Sequence, residues 1–162
     1  MKNKFLKLTL TLFMVSTSLY ATDIKDSVVA TKHNKNLTIG KIAEIQPGLG
    51  TIMVEFGHRF YIAYYGAKAS NWELAKYELH ELIETQEIAE ATRPEYKKQL
   101  KEFEEKHLEK LIQTIETKNF KKFEFEYTKT TKACNACHVA NGHPYIQYEL
   151  PKEAPKYLRM AL

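Results

Sequence analysis

Both cysteines of this 162-residue chain fall inside one pentapeptide, Cys134-Asn135-Ala136-Cys137-His138. That string constrains the chain more than any other feature in it. Two thiols three positions apart share one helical turn and can reach one edge of a single planar group. The residue after the second thiol then projects an imidazole toward the centre of that group. This is the CxxCH spacing by which a haem is attached through two thioethers, with the following histidine as the proximal iron ligand. The expectation is one covalent haem c held by Cys134, Cys137 and His138. Three other uses of the cysteines are less well matched. A thioredoxin-like redox pair needs a βαβ setting, and no strand pattern surrounds the motif. A structural zinc site needs four ligands, and only His143 stands nearby as a further one. A plain disulfide needs no histidine.

Residues 1–21 open with Lys2, Lys4 and Lys7, carry an apolar stretch at 8–15 and finish in small residues, with a cut expected after Ala21. That is the anatomy of a secretory signal. A spanning helix would need about 20 apolar residues, so no stable membrane anchor is expected and the mature protein is placed in the periplasm. The whole chain has 24 basic and 20 acidic residues, a formal charge of +4. Without the three lysines of the leader, 21 basic groups face 20 acidic ones, and a basic surface for nucleic acid is excluded. Local patches such as Lys121, Lys122, Lys129 and Lys132 are left to steer any partner.

Residues 22–45 are polar, with little periodicity, and read as a poorly ordered or draping arm. From Pro47 the pattern becomes helical. The first stripe runs Leu49, Met53, Phe56, Phe60, Ala63 and Ala67, and Gly66 is the candidate C-cap. A second helix follows Ser70-Asn71-Trp72-Glu73, read as a capping box, with its stripe at Trp72, Ala75, Leu79 and Leu82. A third follows Thr92-Arg93-Pro94-Glu95, also read as a capping box, with its stripe at Tyr96, Leu100, Phe103, His107, Leu111 and Ile115. The last is capped by Asn119, and its stripe of Phe120, Phe123, Tyr127, Thr130, Cys134 and Cys137 puts the motif on a buried face. Short connections between four amphipathic helices predict an all-α fold, an antiparallel four-helix bundle over residues 46–142 with the haem attached to the last helix. Residues 143–162 are too proline-rich to continue that helix and are expected to run extended along it, shielding a haem edge.

A four-helix chain with a single CxxCH on its last helix resembles the class II c-type cytochromes, the cytochrome c-prime group and its low-spin relatives. The resemblance rests on residues 134–138 and on the helix order, and the long tail after His138 departs from it. It implies thioethers at Cys134 and Cys137, His138 as proximal ligand, and a sixth iron position supplied by the first helix. Met53, on the core stripe of that helix, is where the resemblance puts a methionine ligand. The ordinary use of a methionine there is packing.

His58 competes with Met53. It lies about 140° around the helix from it, beside Gly57, which would let a flat ring approach closely. His107 is a further candidate on the third stripe, while His33, His80 and His143 read as surface or tail residues. Arg59 and Lys132 are candidates to pair with haem propionates. The resulting expectation is a periplasmic electron-transfer protein working with redox partner proteins, without enzymatic activity of its own. The alternative is a haem-based binding protein for nitric oxide or another small diatomic ligand. Bundles of this group are often homodimers.

Overall fold

The computed structural model describes residues 23–161, so the expected leader at residues 1–21 lies outside the described residues. Among the described residues the fold is all-α, and no helix is long and apolar enough to cross a membrane.

The chain divides into two compact units at residues 45 and 46. The first is not featureless in its described part. Asp23 caps a 3₁₀ turn, Ile24–Asp26, by accepting from the Lys25 N–H at 3.3 Å. Val28 and Thr38 form an isolated antiparallel bridge. Thr38 then caps a short helix, α1 (Ile39–Glu44), through its hydroxyl oxygen and the Lys41 N–H at 3.0 Å. None of the residues of these short elements is buried, so side-chain capping and local backbone bonds hold the segment rather than a core.

The second unit holds the long helices α2 (Leu49–Lys68) and α3 (Trp72–Thr92). It continues through a 3₁₀ turn (Pro94–Tyr96), α4 (Lys97–Phe103), a π-helical turn (Glu104–Leu108) and α5 (Glu109–Glu116), and closes with α6 (Phe120–Ala140). α2 packs along α3, and α6 packs against α5 and α2. The core joins Phe60, Leu79, Leu82, Leu108, Leu111 and Phe123, each no more than 1% exposed. Burying a side chain of this size contributes about 1.5–3 kcal/mol. Phe60 also stacks on Tyr127 with ring centroids 3.9 Å apart.

The helix ends differ from the sequence reading at three places. α2 runs past Gly66 to Lys68, and Ser70, in the left-handed region at φ 62°, ends it. Gly66 serves a close approach instead, since a Cβ there would lie 3.2 Å from the Ala75 nitrogen at the start of α3. The cap of α3 is Asn71, accepting from the Leu74 N–H at 3.1 Å, not Ser70. Thr92 belongs to α3 itself, so the helical segment beginning at Pro94 has no side-chain cap. The Asn119 cap of α6 is present, accepting from the Lys122 N–H at 3.1 Å.

The third stripe also shifts. The π-turn places one extra residue in the helix, so the buried positions run Leu100, Leu108, Leu111 and Ile115, and His107 is only half-buried. A strict 3.6-residue period had put His107 in the place that Leu108 takes.

Candidate functional site

α6 ends in a turn that decides where the tail goes. Gly142, at φ 80°, lets the His143 N–H reach the His138 carbonyl at 2.8 Å and its own N–H reach the Val139 carbonyl at 3.1 Å. This is a Schellman closure, which needs a residue tolerant of the left-handed region. The chain then folds back along the helices. The Tyr61 hydroxyl donates to the Glu153 carbonyl at 2.6 Å, and the Tyr65 hydroxyl to the Pro151 carbonyl at 2.7 Å. The Tyr127 and Tyr148 hydroxyls meet at 2.9 Å, and Tyr148, Leu150, Ala154 and Met160 pack on the core.

Between this strap and the ends of α2, α3, α4 and α6 lies a cavity of about 730 Å³. That is within the roughly 300–1,000 Å³ typical of sites for small molecules and cofactors. Cys134, Cys137 and His138 line it, and so does Met53. Phe56, Phe60, Leu100 and Phe103 give it apolar walls, while Val54 and Tyr145, 74% and 77% exposed, stand at its edge.

Cys134 and Cys137 are free thiols. Burial pushes the Cys134 thiol up to about 12, with the neighbouring Cys137 adding to the shift, so it is neutral at ordinary pH. Burial also raises Cys137, partly offset by a hydrogen bond from Asn141. Neither thiol has the thiolate character of a reactive redox cysteine. His138 Nδ1 lies 2.9 Å from the carbonyl oxygen of Ile146 in the tail. A carbonyl only accepts, so Nδ1 carries the proton, which leaves Nε2 as the ring nitrogen that can bind a ligand. Among the described residues, no group of three or more His, Cys, Asp or Glu could hold a bare metal ion.

The remaining candidates are sorted by the same geometry. His58 lies outside the cavity wall, with its Nε2 3.0 Å from the Tyr157 hydroxyl of the tail. The flat ring beside Gly57 is that of Tyr148, 3.6 Å from where a Cβ would sit. His107 also lies outside the wall, its ring 5.4 Å from that of Phe103. Burial, with Lys110, Lys129 and Lys106 nearby, holds its pKa below the usual histidine value. His33 and His80 are exposed, whereas His143, read as a tail residue, does line the cavity.

Arg59 is not placed to meet a cofactor carboxylate. It binds Glu55 at 2.7 Å and the buried Glu78 at 3.1 Å, with Glu81 at 3.9 Å. Lys132 is exposed and away from the wall.

Two wall residues escaped the sequence reading. Arg93, at the α3–α4 junction, lines the cavity and forms no ion pair among the described residues, its Nη1 reaching only the Thr92 carbonyl at 2.5 Å. Gln86 is fully buried in the wall. Its Nε2 is surrounded by Glu90, the Leu100 carbonyl and Glu104 at 3.1–3.2 Å, while its Oε1 has no partner. The Thr-Arg-Pro-Glu string reads as a helix start, which hides Arg93, and a glutamine on a helix gives no signal at all. Comparison with known proteins finds no family model, no curated protein and no solved structure that matches this chain.

Proposed function

We propose that this chain is an exported, periplasmic monohaem c-type cytochrome of the class II kind, an electron-transfer protein rather than an enzyme. In this reading the four long helical segments of residues 49–140 form an antiparallel four-helix bundle, with one haem c attached to the last helix. The observation that carries it is the grouping of Cys134, Cys137, His138 and Met53 on the wall of one mainly apolar cavity of cofactor size. These residues suit the group. The thiols sit one turn apart on α6, the His138 ring has Nε2 available, and the unpaired Arg93 guanidinium is a partner for a propionate.

When bound, the haem supplies a one-electron iron couple. Cys134 and Cys137 would hold it through thioethers, His138 would be its ligand from α6, and Met53 would offer a thioether from α2. A soft methionine partner favours the reduced state. Phe56, Phe60 and Phe103 would limit water around the group, and such an apolar shell tunes its potential. Redox partners would meet the exposed edge near Val54 and Tyr145.

The test is expression of the full chain with secretion and haem-attachment machinery. The expected product keeps its haem through denaturing electrophoresis, and the Cys134→Ser/Cys137→Ser double variant does not. A wild-type product without covalent haem sinks the proposal. High-spin spectral features, with a shift on adding nitric oxide or carbon monoxide, would replace electron transfer by the gas-binding reading.

A further inference from the structure

We propose that Asn135, a residue between the two cysteines, is the positioning residue that fixes the imidazole of His138; this rests on the reading of His138 as the haem ligand. The Asn135 side chain closes a two-way clamp on the tail. Its Oδ1 accepts from the Tyr148 N–H at 2.7 Å, and its Nδ2 donates to the Tyr148 carbonyl at 3.1 Å. Those two bonds copy the pairing a neighbouring strand would make, so they set the position of the Tyr148 backbone and also fix which way the amide points.

Two residues earlier, the Ile146 carbonyl meets His138 Nδ1 at 2.9 Å. The segment between is held from both sides. Upstream, the Gly142 turn binds the His143 N–H to the His138 carbonyl, and the Ile146 N–H returns to the His143 carbonyl at 3.0 Å. Downstream stands the Asn135 clamp. Ile146 itself is 47% exposed, and the Tyr148 side chain is anchored separately through Tyr127 and the core. The clamp is therefore what ties the backbone at Tyr148, and through it the Ile146 carbonyl, to the helix that carries His138.

The consequence is chemical as well as structural. A carbonyl on Nδ1 fixes the tautomer and ring orientation and makes the imidazole a stronger donor. A stronger donor favours the oxidised state of the metal it binds. Asn135 therefore acts on the site through Tyr148 and Ile146, without touching the reacting atoms. Nothing in the CxxCH spacing requires an asparagine at this place.

The experiment compares wild type, Asn135→Ala and Asn135→Asp as full-chain holoproteins. The readouts are the midpoint potential, ¹⁵N-histidine NMR of the His138 Nδ1–H, and hydrogen exchange at the Tyr148 amide. Asn135→Ala is expected to raise the potential, to speed exchange of the Nδ1–H, and to lower Tyr148 protection by up to about tenfold, the equivalent of one lost hydrogen bond. Asn135→Asp keeps the acceptor for the Tyr148 N–H and is expected to recover most of the Tyr148 protection and the slow Nδ1–H exchange. A folded Asn135→Ala with unchanged potential and Nδ1–H exchange overturns the proposal. If that variant does not fold, Asn135→Asp with intact Tyr148 protection but lost Nδ1–H protection overturns it. The histidine NMR needs no haem, so a wild type lacking the cofactor overturns the haem reading, while the clamp is still judged in that protein by the Nδ1–H exchange and falls if Asn135→Ala leaves it unchanged.

Discussion

Met53 on α2 and His138 on α6 line the same cavity, whereas His58, on the next turn of α2, turns to the Tyr157 hydroxyl at 3.0 Å. The two candidates for the sixth ligand are thereby separated by where the helix points them. Met53→Ala is expected to abolish the weak far-red band of a methionine-bound ferric haem in the oxidised protein. His58→Ala should leave the spectrum as it is and loosen only the Tyr157 end of the tail. A low-spin spectrum untouched by Met53→Ala would remove Met53 from the site.

Arg59 and Arg93 have separate tasks. The Glu78 side chain is 5% exposed and depends on Arg59, itself 25% exposed. Removing the arginine leaves a buried carboxylate without its main cation, at a cost of about 1–3 kcal/mol once the partial exposure is allowed for. Arg59→Ala should therefore lower the denaturation midpoint and leave the redox midpoint alone. Arg93→Ala should do the reverse. Loss of a cation beside the site disfavours the reduced state, so the potential falls while stability stays near wild type. Equal potentials in Arg93→Ala and wild type would take Arg93 out of the site.

The sequence exposes α2, α3 and α6 because a 3.6-residue apolar stripe and Asn119 or Asn71 at a helix start are properties of adjacent residues. The spacing of Cys134, Cys137 and His138 also singles them out, and the structure puts all three on one cavity wall. What the sequence hides is of another kind. The π-turn at Glu104–Leu108 shifts the stripe by one residue, and only the packing of Leu108 reveals it. Part of the tail's docking runs through the carbonyls of Ile146, Pro151 and Glu153, atoms that every residue has and no side chain advertises. Arg59 faces α3 rather than the cavity because its partner Glu78 is buried there, and no local pattern around either residue announces that pairing.

The buried phenols make the fold sensitive to alkali. Burial raises Tyr127 far above its usual value, and burial pushes Tyr148 up to about 12. The neutral phenol is therefore the form the folded state favours. Its contribution is fully present below the ordinary tyrosine value of 10 and is lost as the pH rises through the raised values. Phenolate absorbance should lag behind that of free tyrosine above pH 10, and helicity should fall as these groups ionise. Tyr127→Phe should cost about 1 kcal/mol at neutral pH through the lost bond to Tyr148, and should soften the alkaline transition. Tyrosines that all ionise near 10 with helicity intact would contradict this.

Two glycines distinguish a conformational need from a spatial one. A Cβ on Gly142 would meet nothing within 4 Å, yet its φ is 80°. Alanine there faces no clash, and its cost is that of holding an L-residue in the left-handed region, about 1–2 kcal/mol. Gly142→Asn should cost less, because asparagine tolerates that region. Gly57 has helical backbone, and a Cβ would make ordinary contact with the Tyr148 ring at 3.6 Å. Gly57→Ala should therefore stabilise the helix by about 0.5–1 kcal/mol. Thermal denaturation of the three variants checks the order, with Gly57→Ala highest and Gly142→Ala lowest. A Gly142→Ala midpoint equal to wild type would mean that the turn after α6, and with it the path of the tail to His138, is not held by the glycine.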